Sequence, residues 1–148
     1  MECMSEELIS AFDIRGTEET GLDIECAWNV GKALADWLPV SGSVVVLATP
    51  AAAKLADAVV EGLRLQGRNV ILEGSGDNEA AAAQVKTFEL AGAVVVGWDD
   101  LEKMNTLSLL QENGQLITME TGLKEIREFV LAGNFVPAVI KGEISRLA

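Results

Sequence analysis

The chain has no histidine and no tyrosine. Histidine is the side chain whose unperturbed pKa lies nearest neutrality, so proton transfer would fall to carboxylates, lysine or cysteine. Cysteine is scarce too. Cys3 and Cys26 are the only two, too few for a disulfide scaffold and at a spacing that fits no metal site, so reduced thiols are expected. Basic residues are outnumbered, 11 against 23 acidic ones for a formal charge of -12. No basic patch is available to neutralise phosphates, which argues against nucleic acid, and an anionic membrane surface would repel the chain. No apolar run approaches the roughly 18 residues that span a bilayer. The opening MECMSEELIS is acidic and lacks the charged-then-apolar pattern of a secretory leader, so a cytoplasmic location is expected.

What is present suits one domain over residues 1–148, long enough to bury roughly 70% of the surface its unfolded form exposes. Hydrophobic residues make up 49%, much of it alanine and valine in short runs. Between 22 and 38, Ile24, Ala27, Trp28, Gly31, Leu34, Ala35 and Leu38 recur at helical spacing until Pro39 stops the run. SVVVLA at 43–48 has the length and β-branched content of a strand covered on both faces. Thr49 and Pro50 suit the N-cap and first position of a second helix that ends near Gly67. A strand at 69–73, a loop, a helix at 79–90 and a strand at 92–96 follow. Strand alternating with helix predicts a parallel sheet with right-handed crossovers. Asn113-Gly114 reads as a hairpin turn adding an antiparallel pair. A last helix at 122–132, closed by Gly133, precedes an irregular or extended tail. The fold class is thus α/β, three-layered, with a mixed, mainly parallel sheet of about four strands.

Ligands of such sheets bind beyond the carboxyl ends of the parallel strands, which selects the loops at 48–52, 74–79 and 97–105. In GSGDNE, Glu79 stands where a third phosphate-binding glycine would be, and Ser75 and Asp77 compete with a plain reading as turn and helix cap. Asp99 and Asp100 could hold a hard cation or act as nucleophile; equally, they could cap the turn starting at Leu101. Trp98 is either an exposed anchor or a lid on the core.

AFDIRG at 11–16, followed by LDIECAWNVGKALADWL, resembles the opening of the α-D-phosphohexomutases, the phosphomannomutase and phosphoglucomutase group, whose first domain begins with a Y-D-I-R-G-like segment. That family's signature strand and nucleophile loop read approximately G-V-M-L-T-A-S-H-N-P, then Y-N-G-F-K-I. GAVVVGWDDLEKMNTLSLL lies against this pattern without a gap, and GLKEIREFVLAGNFVPAVIKGEISRL resembles the last helix and exit of the same domain. The resemblance covers nearly the whole chain but only the first of four domains.

The resemblance also implies where chemistry has changed. Trp98 takes the place of the serine that carries the phosphoryl group, Asp99 and Asp100 those of the following histidine and asparagine, and Leu101 that of the proline. Asn105 keeps the downstream asparagine, while Thr106 replaces a glycine and Ser108 a lysine. Arg15 alone survives as a phosphate-facing residue of the pattern, and Gly97 counts only among the candidate ligand-facing positions. An indole offers an N–H donor and no nucleophile. Two added carboxylates oppose a dianionic ligand by roughly 1 to 4 kcal/mol per close pair. The family's metal-binding loop belongs to the second domain, so no catalytic residue, metal or cofactor is expected here, although relatives use Mg²⁺. Arg15 is expected to pair with Asp13, Asp99 or Asp100 rather than bind phosphate. A hydroxyl such as Ser75 or Thr106 at the mouth of the sheet, beside both Arg15 and a bound cation, would overturn the inert reading.

The resemblance therefore implies a non-catalytic binding or interaction module, a pseudoenzyme, meeting a second copy or another protein chain through the surface that packs on domain two in the family. The alternative is a component of a split or degenerate phosphomannomutase/phosphoglucomutase acting on hexose phosphates.

Overall fold

The computed structural model describes residues 3–146. Its strands are β1 (Ile14–Gly16), β2 (Val44–Ala48), β3 (Val70–Glu73), β4 (Gly92–Asp99), β5 (Met104–Gln111) and β6 (Ile144–Arg146), and its helices are α1 (Ile24–Trp37), α2 (Ala53–Leu65), α3 (Asn78–Phe88) and α4 (Lys124–Ala132). They form one six-stranded sheet in the order β1-β5-β4-β2-β3-β6. β2 pairs in parallel with both β3 and β4, with Val44 opposite Val70 on one side and Gly92 on the other. β5 runs antiparallel to β4 and β1 antiparallel to β5, while β6 adds a parallel edge to β3.

Valine runs suit β2 and β4 because both faces of the sheet are covered. Alternate residues Val44, Val46, Val94, Val96, Leu107 and Leu109 face α1, α2 and α4; Val45, Leu47, Ala93, Val95 and Leu110 pack with Ala81 and Val85 of α3. The result is three layers. Two glycines set the spacing of the thicker one: a Cβ on Gly31 would lie 2.3 Å from the Val59 carbonyl oxygen, and one on Gly62 would lie 2.1 Å from that of Trp28. Backbone thus meets backbone where α1 crosses α2. Caps behave as their chemistry dictates, with Asp23 accepting from the Cys26 amide at 2.8 Å and Asp77 from the Ala80 amide at 2.8 Å. Gly133, at φ +65°, closes α4.

The structure departs from the sequence expectations in four places. The sheet has six strands rather than about four, because short segments at 14–16 and 144–146 add an edge on each side. Asn113 and Gly114 do adopt left-handed conformations, φ +66° and +75°, but the main antiparallel pair is β4 with β5, turned by residues 100–103. Beyond Gly114 there is a single bridge, Leu110 to Leu116. Thr49 stands at the N-cap position before a short 3-10 turn, Pro50–Ala52, and its hydroxyl makes no cap bond. Cys3 and Cys26 are joined in a disulfide with their Cα atoms 5.3 Å apart. Spacing along the chain excluded a metal site; it could not show that the segment before β1 folds back over the first turn of α1. No helix among the described residues is long and apolar enough to cross a membrane.

Candidate functional site

β4 and β5 stay paired past the core to Trp98↔Asn105 and Asp99↔Met104. The loop carrying the candidate residues is therefore a β-hairpin with a four-residue turn. Asp99 organises that turn, its Oδ1 accepting from the amides of Leu101 and Glu102, each at 3.0 Å. Asp100, the first residue of the turn, pairs with Lys103 at 3.1 Å in solvent. Asp99 thus has the geometry of a turn cap, and Asp100 does not.

On the neighbouring strand, Arg15 is gripped by Asp13. Arg15 Nε donates to Asp13 Oδ1 at 3.0 Å and Nη2 to Oδ2 at 2.8 Å, while Nη1 reaches Asp99 Oδ2 at 3.4 Å. Ser10 Oγ donates a further bond of 2.6 Å to Asp13 Oδ1. Burial alone would push the Asp13 carboxyl up, but the hydrogen bonds from Arg15 and Ser10 outweigh it and hold the group below its ordinary value. The hydrogen bond to Asp13 raises the Arg15 guanidinium above its ordinary value. The Glu102 amide is the main cause of the lowered Asp99 value, helped by the Leu101 amide and Arg15. Both carboxylates are thus committed anions facing a committed cation.

Register divides the remaining candidates. Arg15, Thr106 and Gly97 lie opposite one another across β1, β5 and β4, so they share a face; Gly16, Asn105 and Trp98 lie on the other face. Trp98 is 42% exposed on the α1/α2 side, away from Arg15. Ser75 is exposed in the loop after β3, and Asp77 is engaged as the α3 cap. β2 separates β3 from β4, so this loop does not adjoin the cluster along the sheet. The sequence reading named Asp13 only as a partner and omitted Ser10. Their three-residue spacing, which lets a serine hydroxyl reach the carboxylate, was the available signal. Thr106, of the two hydroxyls considered, is the one in register with Arg15.

Relatives in the resembled family use a divalent cation, held from their second domain, and the residues gathered here do not fit one. Mg²⁺ is bound through one or two carboxylates together with substrate phosphates. Here the guanidinium of Arg15 binds both Asp13 and Asp99 and fills the place between them. Among the described residues no three His, Cys, Asp or Glu side chains gather as they would around an ion.

The mixed sheet with its antiparallel hairpin defines a class of fold, the three-layer α/β domain. A solved phosphoglucomutase/phosphomannomutase family protein from Burkholderia thailandensis superposes with a TM-score of 0.76 over 96% of this chain and 33% of its own, at 21% identity. No family model matches the chain. Curated relatives supply the sequence link. A protein named phosphohexose mutases from Xanthomonas campestris is 36% identical over 127 residues, and a phosphomannomutase from Salmonella typhimurium is 32% identical over 134. These matches cover 82% and 86% of this chain and 28% of each relative. The chain is a relative of the phosphohexomutases and spans a little over a quarter of the length of these two.

Proposed function

We propose that this chain is a non-catalytic binding or interaction module of phosphohexomutase descent. The observation that carries the proposal is the state of Arg15: its guanidinium is held bidentately by Asp13 and touched by Asp99. An arginine so neutralised offers little attraction to a phosphoryl dianion, and catalysis of phosphoryl transfer rests on such stabilisation. Trp98, at the position that aligns with the family's serine, supplies no nucleophile. Thr106 has a hydroxyl, but Asp13 and Asp99, each two residues from one of its strand partners Arg15 and Gly97, are bound by Arg15.

A protein partner is supported by the tail. Its backbone is tied to the end of α2, with the Ala138 amide donating to the Leu65 carbonyl at 2.8 Å and the Gly142 amide to that of Arg64 at 2.9 Å. Yet Val136, Val139 and Ile140 are 82%, 100% and 82% exposed. A fixed backbone cannot tuck these side chains away, and such a strip is buried most simply against another chain. The first partner to test is a second copy. The expected oligomer is a dimer by light scattering, reduced to monomer by V139D/I140D; a monomer at all concentrations refutes self-association.

The enzymatic alternative, a component of a split or degenerate mutase, is favoured by the hydroxyl-bearing Thr106 standing in register with Arg15. A coupled assay with glucose 1-phosphate or mannose 1-phosphate, magnesium and the activating bisphosphate separates the two readings. No turnover is expected, and turnover abolished by T106A or D99A overturns the non-catalytic reading.

A further inference from the structure

Residues 3–9 carry only a 3-10 turn at Glu6–Leu8 and reach the body through a small set of ties. Met4 and Leu8 are fully buried. The Met4 carbonyl accepts from Arg127 Nε at 2.7 Å, Ile9 bridges Ile14, and Cys3 is bonded to Cys26. Only the last of these ties is covalent and chemically reversible. The segment runs directly into the turn that presents Asp13: the Ser10 amide donates to the Asp13 carbonyl at 2.9 Å, and Ser10 Oγ grips its carboxylate. Whatever fixes residues 3–9 therefore also fixes the carboxylate that holds Arg15. The same segment, through Glu6 and Ile9, forms a wall of a cavity of about 290 Å³ completed by Met119, Lys124 and Arg127.

We infer that Cys3–Cys26 is a redox modification site, a clasp opened by a dithiol reductant, whose state sets the order of residues 4–16 and with it the hold of Asp13 on Arg15. Accessibility gives the direction of attack. Cys26 is fully buried in the first turn of α1, while Cys3 is partly exposed. A reductant thiolate attacks Cys3 Sγ, the Sγ–Sγ bond breaks, and Cys26 leaves as a thiolate that takes a proton. The reductant's second thiolate then attacks its own sulfur in the mixed disulfide and releases Cys3. The protein disulfide gains two electrons and two protons, and the dithiol becomes a disulfide. The bond closes a loop of 23 residues' separation, so its loss eases opening of the segment by on the order of a hundredfold.

The test is amide hydrogen exchange on the 148-residue chain, oxidised with oxidised glutathione, reduced with dithiothreitol, then reoxidised. Exchange over 4–16 is expected to quicken at least tenfold on reduction and to recover on reoxidation, with α2 and β2 unchanged. C3S is expected to behave like the reduced protein under every condition. Equal exchange in both states, or C3S matching the oxidised protein, overturns the inference. So does alkylation of both cysteines by iodoacetamide in the native protein after treatment with oxidised glutathione. If α2 and β2 loosen together with 4–16, the bond is a global staple and the clasp is refuted.

Discussion

Asp13 and Asp99 both face Arg15, and their other partners set them apart. Asp13 is nearly buried and makes the bidentate bond, whereas Asp99 is also the cap of the 100–103 turn. D13N is expected to destabilise the fold by about 1 to 3 kcal/mol, because it leaves a partly buried guanidinium short of its counter-charge. Urea melts would check this. Both carboxyls titrate below their ordinary value in the folded protein, so their stabilisation is present above the unfolded value, about pH 4, and is lost as the pH falls through the folded values. The urea midpoint of the wild type should therefore drop on acidification below about pH 4, and D13N should show a shallower drop. The pairing of Arg15 with Asp13 was legible because the two are sequence neighbours, and that with Asp99, 84 residues on, only through the place the resemblance gives its loop. The separation of Trp98 from Arg15 was not, since which face a side chain takes depends on a ladder register that a ten-residue stretch does not reveal.

At the scale of elements, β2, β3, β4 and all four helices were legible from valine runs, helical periodicity and stop signals. The partner of β5 was not, because Asn-Gly is the stronger local turn signal and Asp100–Lys103 contains no glycine; Lys103 takes φ +56° instead. Asp99 compensates by binding two turn amides. The end of α1 rests on a long-range device that no local pattern announces. Arg68 donates to the carbonyls of Ala35, Leu38, Val40 and Gly42 at 2.7 to 3.3 Å. R68A is expected to cost about 2 to 3 kcal/mol by leaving these acceptors unpaired, and R68K to recover only part of that, because an ammonium cannot span the same fork. G31A or G62A should cost about 1 to 3 kcal/mol or more, since a methyl group at either position meets backbone rather than a movable side chain. Thermal melts of these variants provide the check.

For the molecule as a whole, the alternation of strands and helices announced the class of fold, while the disulfide and the two edge strands required three-dimensional closure. Reduction should leave the urea midpoint of the whole chain nearly unmoved, because the freed segment gains its entropy while the rest stays folded; a loss of about 3 kcal/mol, the chain-entropy figure for a global staple, would refute the clasp.

The contact of α1 with α2 through Gly31 and Gly62 bears on how the molecule would move. Two helices seated backbone to backbone behave as a post, and Cys26 is set into that post. When a bar hinged to a fixed post is unlatched, the bar swings and the post stays. Motion released at the sulfur pair is thereby directed toward the strand that carries Arg15 and away from the parallel centre of the sheet.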